Sequence, residues 1–103
     1  MYLKQPIGGI IPAVLFPRDE SGRAHWESFE ATVAFLKSQG AAGVCVNGAT
    51  GEYAAASAAE RLRAVEVARA VIGSDGLVVS GTGAAFWTES AQLAHDAEKA
   101  GAD

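Results

Sequence analysis

The sequence lacks the features that mark disulfide-bonded, metal-binding, membrane-spanning and secreted proteins. A single cysteine excludes an internal disulfide, and the two histidines share no metal-ligand spacing with each other or with that cysteine. No apolar run approaches the roughly 20 residues of a membrane span. The first residues lack the charged start and the long apolar stretch of a signal peptide. We therefore expect a cytoplasmic protein with no metal site and no membrane partner.

Positive charge and nucleotide motifs are also scarce. Eight Lys and Arg residues stand against twelve Asp and Glu residues, which gives a net charge of −4, whereas nucleic-acid binders usually carry a basic face. Gly81 and Gly83 follow an apolar run, but Phe86 occupies the third glycine position of a dinucleotide fingerprint, and no P-loop lysine follows a glycine loop. We expect neither a nucleic-acid partner nor a cofactor.

Half of the residues are apolar, and they form two alternating patterns. Short continuous runs at residues 9–15, 43–46 and 77–80 are typical of strands that are buried on both faces. Each run is followed by a stretch with apolar side chains every three or four residues, which predicts an amphipathic helix. The sequence thus predicts the order β-α-β-α-β-α.

The predicted helices carry recognisable end signals. The first presents a stripe of apolar side chains and stops at Gly40. The second begins with a capping box formed by Ser57 and Glu60 and closes at Gly73. The third runs from Thr88, a candidate N-cap, to about residue 100. Its predicted inward face is small and consists of Ala91, Ala94 and Ala97, with Leu93 beside them.

A regular period links the three predicted strands. Ile10, Val44 and Val78 are 34 residues apart (44 − 10 and 78 − 44), and a strand-plus-helix repeat indicates parallel strands with helical crossovers. Residues 99–103 resemble residues 39–43, which lead into the second strand, so we expect a fourth strand to begin where the sequence ends. Three parallel strands leave open edges, and either a longer protein or self-association must cover them.

Residues 47–52, Asn-Gly-Ala-Thr-Gly-Glu, lie at the carboxyl end of the second predicted strand, where α/β proteins bind ligands. Gly48 and Gly51 allow a sharp turn that exposes backbone N–H groups, and the Thr50 hydroxyl can donate to an anionic oxygen. These features fit a carboxylate cradle. They also fit a tight βα turn with Thr50 as a local cap, and the spacing alone favours that turn.

Nearby polar and thiol groups have simpler interpretations. We expect Asn47 to satisfy loop backbone rather than touch a ligand. Ser80 has no histidine near it in sequence and is expected to be structural. Cys45 is expected to be an inert core thiol.

Several segments together resemble one family. Residues 48–52, Gly-Ala-Thr-Gly-Glu, resemble the G-T-T-G-E or G-S-T-G-E signature of the dihydrodipicolinate synthase/N-acetylneuraminate lyase family. The resemblance continues in order along almost the whole chain. It includes the first strand with Phe16 and Pro17, the S-A-A-E-R start of the second helix at 57–61, the third strand with its glycines at 79–83, and the A-x-x-x-G-A-D segment at 97–103.

The resemblance implies a (β/α)₈ barrel, usually a tetramer, that forms a Schiff base between a lysine and pyruvate or another 2-oxo acid. Residues 1–103 would then be the incomplete N-terminal part of one TIM-barrel domain, with strands 1–3 and helices 1–3, because a whole barrel needs ~250 residues. It also implies a homo-oligomer and a 2-oxo acid substrate for the full-length parent. The substrate-binding residues that it implies are Gly48, Ala49, Thr50 and Gly51, of which Thr50 matches the threonine that holds the carboxylate.

Two positions depart from the family pattern. Ala49 replaces the hydroxyl residue that joins a proton relay in the synthase branch, and alanine cannot shuttle a proton. Phe16 replaces the usual threonine at the end of strand one. The first departure argues against dihydrodipicolinate synthase activity.

No lysine of the chain suits the Schiff base. Lys4 lies in the N-terminal arm, and Lys37 and Lys99 lie near helix ends rather than on a strand, where burial makes an amine nucleophilic. In the family, the lysine and a catalytic tyrosine belong to later strands. We therefore expect no catalytic residue here and no activity of the chain alone. A non-catalytic self-associating protein and a small phosphate- or nucleotide-binding βα module are the alternatives.

Overall fold

The computed structural model describes residues 6–103 and has the predicted α/β architecture. Two strands alternate with three helices. The elements are the helices α1 (Trp26–Ser38), α2 (Ala58–Ile72) and α3 (Trp87–Ala100), the strands β1 (Gly43–Val46) and β2 (Leu77–Ser80), and a 3₁₀ turn at Tyr53–Ala55. The second and third predicted strands are β1 and β2, so both are confirmed.

The register between β1 and β2 follows the sequence period. The two strands are parallel, and Val44 lies opposite Val78, as the 34-residue spacing predicts. Both valines are fully buried and belong to the core that the helices cover. The observed register of these two strands therefore agrees with the 34-residue period.

The first predicted strand, residues 9–15, is less regular. It runs alongside β1, where the Cys45 N–H donates to the Pro12 carbonyl at 2.8 Å and the Val14 N–H donates to the Cys45 carbonyl at 2.9 Å. Only one bridge forms, between Ala13 and Cys45. Pro12 has no N–H to donate, and this limits a regular ladder. The alignment of Ala13 with Cys45 places Pro12, not Ile10, beside Val44, so the predicted register of this segment is wrong by two residues.

Only one face of the strands is covered by the described residues. Val44, Val46 and Val78 are at most 1% exposed and contact the helices. On the opposite face Ala13, Cys45 and Val79 stand side by side, and they are half-buried or exposed. We call these three residues the open sheet face. The prediction of strands buried on both faces is wrong for residues 6–103, because the helices pack on one side only.

The helix end signals are confirmed in α2 and corrected in α3. The Glu60 N–H donates to the Ser57 hydroxyl at 3.1 Å, and the Ser57 N–H donates to the Glu60 carboxylate at 2.9 Å. Gly73 closes α2 with φ 78°. In contrast, α3 begins at Trp87 with Phe86 as its N-cap, so Thr88 lies inside the first turn and is not the cap.

The buried stripe of α3 is rotated from the prediction. Ala97 is buried, and Leu93 and Ala94 are half-buried, but Ala91 is exposed. Ser90 is half-buried instead, which places the inward stripe at positions 90, 93 and 97 with helical spacing. Ala91 is therefore removed from the predicted inward face.

One arginine ties the ends of α2 and α3 together. The Arg69 guanidinium donates to the carbonyls of Gly73 at 2.6 Å, Gly76 at 2.9 Å and Gly101 at 2.8 Å. It also pairs with the Asp103 carboxylate, which accepts the Val78 N–H at 2.9 Å. The loop after α2 and the segment after α3 are thus held by the same side chain.

A second ion pair joins the loop after residues 9–15 to the start of α2. Arg18 lies 3.0 Å from the Glu60 carboxylate and donates to the Ala55 carbonyl at 3.1 Å. The hydrogen bond from Arg18, and next the one from the Ser57 N–H, lower the pKa of Glu60 below its usual value. Because the folded pKa is lowered, this stabilisation is present above the unfolded pKa and is lost as the pH falls through the folded pKa.

Glu60→Gln is expected to lower the free energy of unfolding by about 0.5–1 kcal/mol at pH 7. Glutamine still serves a capping box, so the change isolates the charge. The difference from the natural chain should shrink below the unfolded pKa of about 4.3 and vanish at lower pH. Urea denaturation across this range measures it. Glu66→Gln is the control, because its pair with Arg63 is about half exposed. A difference that did not change with pH would contradict this origin.

Candidate functional site

The turn at residues 48–51 lies at the carboxyl end of β1 and is flanked by two strained residues. Asn47 has φ 59° and Glu52 has φ 52°, the left-handed region that side chains other than glycine seldom occupy. The Glu52 N–H donates to the Ala49 carbonyl at 3.0 Å. Asn47 is buried, and asparagine tolerates this conformation better than most residues. These two positions, one on each side, reverse the chain.

The two glycines of the turn lie outside the positive φ region. Gly51 is buried, and a Cβ there would lie 3.1 Å from the Val14 carbonyl oxygen. It therefore serves the close approach of residues 9–15. A Cβ on Gly48 would meet nothing nearer than the Cys45 sulfur at 3.9 Å. The space around residue 48 therefore does not require a glycine there.

Thr50 and Ala49 present unused donors. Both residues are exposed. Within residues 6–103, neither their backbone N–H groups nor the Thr50 hydroxyl is hydrogen-bonded. Thr50 is thus not the local cap that the simpler interpretation requires. The arrangement can offer two N–H groups and one hydroxyl to an anionic oxygen. The substrate-binding assignment of Gly48, Ala49, Thr50 and Gly51 stays a prediction.

Phe16 packs against α1. Its ring contacts Trp26 edge-on at 5.4 Å between centroids and Phe29 at 6.1 Å. The Arg18 guanidinium covers it at 4.8 Å. The departure from threonine at this position therefore enlarges the aromatic core beside α1.

Arg61 is the central residue that the sequence interpretation missed. It is 7% exposed. Its two terminal nitrogens donate to the carbonyls of Gly83 at 2.8 Å and Gly81 at 3.1 Å, and the guanidinium lies 5.2 Å from the Tyr53 ring centroid. The only sequence signal was its place after Glu60 in the family-like start of α2. Arg61 fixes the loop between β2 and α3 against the residues that follow the cradle.

Asn47 connects this cluster to the cradle. Its side-chain amide donates to the Arg61 carbonyl at 2.9 Å and to the Ser80 hydroxyl at 3.0 Å. Asn47 thus satisfies backbone, although that backbone belongs to α2 and not to the loop, and Ser80 is hydrogen-bonded to Asn47. That neither residue contacts a ligand stays a prediction. At the same point Gly81 approaches so closely that a Cβ on it would lie 2.1 Å from the Asn47 carbonyl oxygen.

Cys45 and the lysines offer no nucleophile in the described part of the chain. Cys45 is half-buried on the open sheet face rather than in the core, and burial raises the pKa of its thiol, which disfavours the thiolate. The Lys37 ammonium donates to the Val71 carbonyl at 3.0 Å, and Lys99 is exposed on α3. Lys4 lies outside the described residues.

Residues 6–103 contain neither a cluster of metal-ligating side chains nor a membrane-spanning helix. No group of three or more His, Cys, Asp or Glu side chains there could hold a metal ion. Among the same residues, every helix is too short or too polar to cross a bilayer.

Comparison with known sequences gives a match along nearly the whole chain. The model of the dihydrodipicolinate synthetase family matches residues 6–103. The 4-hydroxy-tetrahydrodipicolinate synthase of Synechococcus sp. (strain CC9902) is 34% identical over 99 residues, which cover 96% of this chain and 33% of that protein. The chain therefore spans about a third of the length of the curated relatives it matches.

Solved structures give the same answer for the fold. The dihydrodipicolinate synthase of Acinetobacter baumannii, solved in complex with pyruvate, matches with a TM-score of 0.90 and 30% identity over 95% of this chain and 34% of its own. The sialic acid aldolase of Ruminococcus gnavus matches with a TM-score of 0.84 and 28% identity over 92% and 32%. The synthase neighbours are TIM barrels, which confirms the predicted partial (β/α)₈ barrel.

Proposed function

Because the chain belongs to the dihydrodipicolinate synthetase family, we propose that it supplies the first three βα units of a lyase or aldolase acting on pyruvate or a related 2-oxo acid. Residues 1–103 are, in this proposal, the N-terminal part of one barrel domain. The reaction needs a lysine whose amine attacks the keto carbon and expels water, which leaves an iminium that accepts electrons. That lysine would come from the later strands.

The unused donors of the cradle carry this proposal. A 2-oxo acid keeps its carboxylate through the reaction, so the site must hold that charge in place. Ala49 and Thr50 offer two N–H groups and a hydroxyl without partners in residues 6–103, at the strand end where barrel enzymes bind substrates. Hydrogen bonds from such donors to a charged oxygen are stronger than those to neutral groups.

Ala49 narrows the proposed chemistry. A methyl group can neither accept nor donate the proton that a hydroxyl would relay there. We therefore favour a lyase or aldolase reaction other than that of the synthase branch, in which the resemblance implies a hydroxyl at this position. Thr50 would bind the carboxylate in either case.

Borohydride trapping tests the proposal. Borohydride reduces an iminium to a stable amine, so a Schiff base with pyruvate becomes a mass increase on one lysine. The 103-residue chain alone is expected to keep its mass. A fusion of residues 1–103 to the rest of the Synechococcus relative is expected to gain one pyruvate adduct on a lysine of the added part.

The relative itself serves as the positive control. The fusion with that lysine changed to arginine serves as the negative control. A specific adduct on Lys37 or Lys99 of the chain alone would contradict the proposal that the catalytic lysine lies in the later strands. A folded fusion that never traps pyruvate would overturn the function.

We also propose that the isolated chain self-associates. The open sheet face is apolar, and Ile10 and Leu15 of the neighbouring segment are 77% and 61% exposed. Contiguous apolar surface of this kind drives association. Sedimentation velocity at rising concentration is expected to show oligomers. A single monomeric species at micromolar concentration with cooperative unfolding would contradict this proposal.

A further inference from the structure

The outer edge of β2 is only partly occupied. The N–H groups of Leu77 and Gly81 donate to carbonyls of β1 and of the residue before it, so the alternate residues, Val78 and Ser80, direct their backbone groups away from β1. Asp103 engages Val78, since its N–H donates to the Val78 carbonyl at 2.8 Å and its carboxylate accepts the Val78 N–H at 2.9 Å. The Ser80 N–H has no partner among residues 6–103. This edge is therefore open beyond Asp103.

A second open edge is the outer side of residues 9–15. Pro12 and Val14 use their backbone groups in hydrogen bonds to β1. The alternate residues, Ala13 and Leu15, direct theirs outward, and no donor or acceptor in the described part of the chain reaches them. Ala13 belongs to the open sheet face, and Leu15 is 61% exposed. The chain thus presents two unpaired edges with an apolar face between them, which are features that bind another polypeptide.

The presence of two open edges restricts the kind of partner. A single added strand pairs with one edge only. A second copy related by a two-fold axis pairs like edge with like edge, so each copy keeps its other edge open. A partner that satisfies both edges must carry two edge strands, as a barrel does once part of its closed sheet is removed. The barrel of the Acinetobacter baumannii synthase fits this description, because this chain matches 34% of it with a TM-score of 0.90.

We propose that this chain binds the C-terminal two thirds of a related barrel supplied as a separate polypeptide, with no covalent link between the two. One edge strand of the partner extends the pairing of β2 beyond Asp103, and the other pairs with residues 9–15. Apolar side chains of the partner cover the open sheet face, and this burial drives the association. The inference rests on the barrel in the proposed function and on none of its chemistry. The self-association of the isolated chain is then the state without the partner, which mixing reverses.

Co-expression tests the proposal. The Synechococcus relative is divided where its match to this chain ends, and its C-terminal part carries an affinity tag. The untagged chain is expected to elute with that part in equal amounts, as the relative's own N-terminal third does in the positive control. Hydrogen exchange at the amides of Ala13, Leu15 and Ser80 is expected to slow in the complex. Absence of the chain from the eluate would overturn the proposal, and so would protection of one edge alone, which indicates two-fold pairing or a single added strand.

A matched pair of variants locates the contact. Ala13 is exposed in the chain alone, so Ala13→Asp is expected to leave its circular dichroism unchanged. Burial of that carboxylate against the partner is expected to weaken the complex at least about tenfold. Ala91→Asp, at an exposed position of α3, is expected to bind like the unchanged chain, and equal binding of both variants would contradict the proposal. Pyruvate trapping separates the outcomes. A fusion that traps pyruvate while the separate chains stay apart refutes this partner alone, and a complex that traps none refutes the chemistry alone.

Discussion

Thr50→Val in the fusion protein is expected to weaken pyruvate binding by about one to two decades. Valine keeps the shape of threonine and deletes the hydroxyl donor. A hydrogen bond to a charged group in a closed site contributes about 1.5–3 kcal/mol, and each ~1.4 kcal/mol is a tenfold change in affinity. Pyruvate dissociation constants from calorimetry, measured before any reduction, give the comparison.

Two neighbouring substitutions act as controls. Thr50→Ser retains the hydroxyl and is expected to retain most of the affinity. Ala49→Thr restores the hydroxyl usual in the family and is expected to change the turnover rate while leaving carboxylate affinity nearly unchanged. If Thr50→Val bound pyruvate as tightly as the unchanged fusion, the turn would be a structural βα connection. The family membership and fold would stand without the cradle.

Gly81→Ala is expected to cost about 3 kcal/mol or more of folding free energy, at the upper end for overpacking. The added Cβ would lie 2.1 Å from the Asn47 carbonyl oxygen and 2.8 Å from its carbonyl carbon. Both atoms belong to backbone and cannot swing aside, so the ends of β1 and β2 must separate. For a domain of this size, the expected fall in Tm is at least about 12 °C.

Gly48→Ala is the matched control for that change. Its Cβ would have only the Cys45 sulfur nearby, at 3.9 Å, and its backbone is outside the positive φ region. A small effect on Tm is expected. Circular dichroism melts of the two variants at equal concentration decide the comparison. Equal melting temperatures for both would contradict the close approach of β2 to Asn47.

Local signals in the sequence were sufficient for much of the fold. The capping box of Ser57 and Glu60 depends on two residues within one helical turn. The 34-residue period placed Val44 beside Val78 correctly, although it did not give the register of residues 9–15. Such features need no knowledge of distant contacts, which explains why they could be predicted.

The cradle depends on contacts that the sequence could not reveal. Gly48 and Gly51 were expected to allow the sharp turn, but the positive φ angles beside it lie at Asn47 and Glu52. The reason lies far along the chain, since residues 9–15 press on Gly51, and Arg61 and Ser80 anchor Asn47. The predicted register of residues 9–15 was wrong for a related reason. Pro12 has no N–H group to donate to β1. This has an effect only because β1 lies beside residues 9–15 in the fold.

The hydrogen bonds of Arg69 fix how long the loop between α2 and β2 can be. Ser74 and Asp75 are exposed, and exposed loop tips normally accept extra residues during evolution or engineering. Here the carbonyls on both sides of that tip, at Gly73 and Gly76, are held by one guanidinium. An inserted residue would have to break at least one of these bonds.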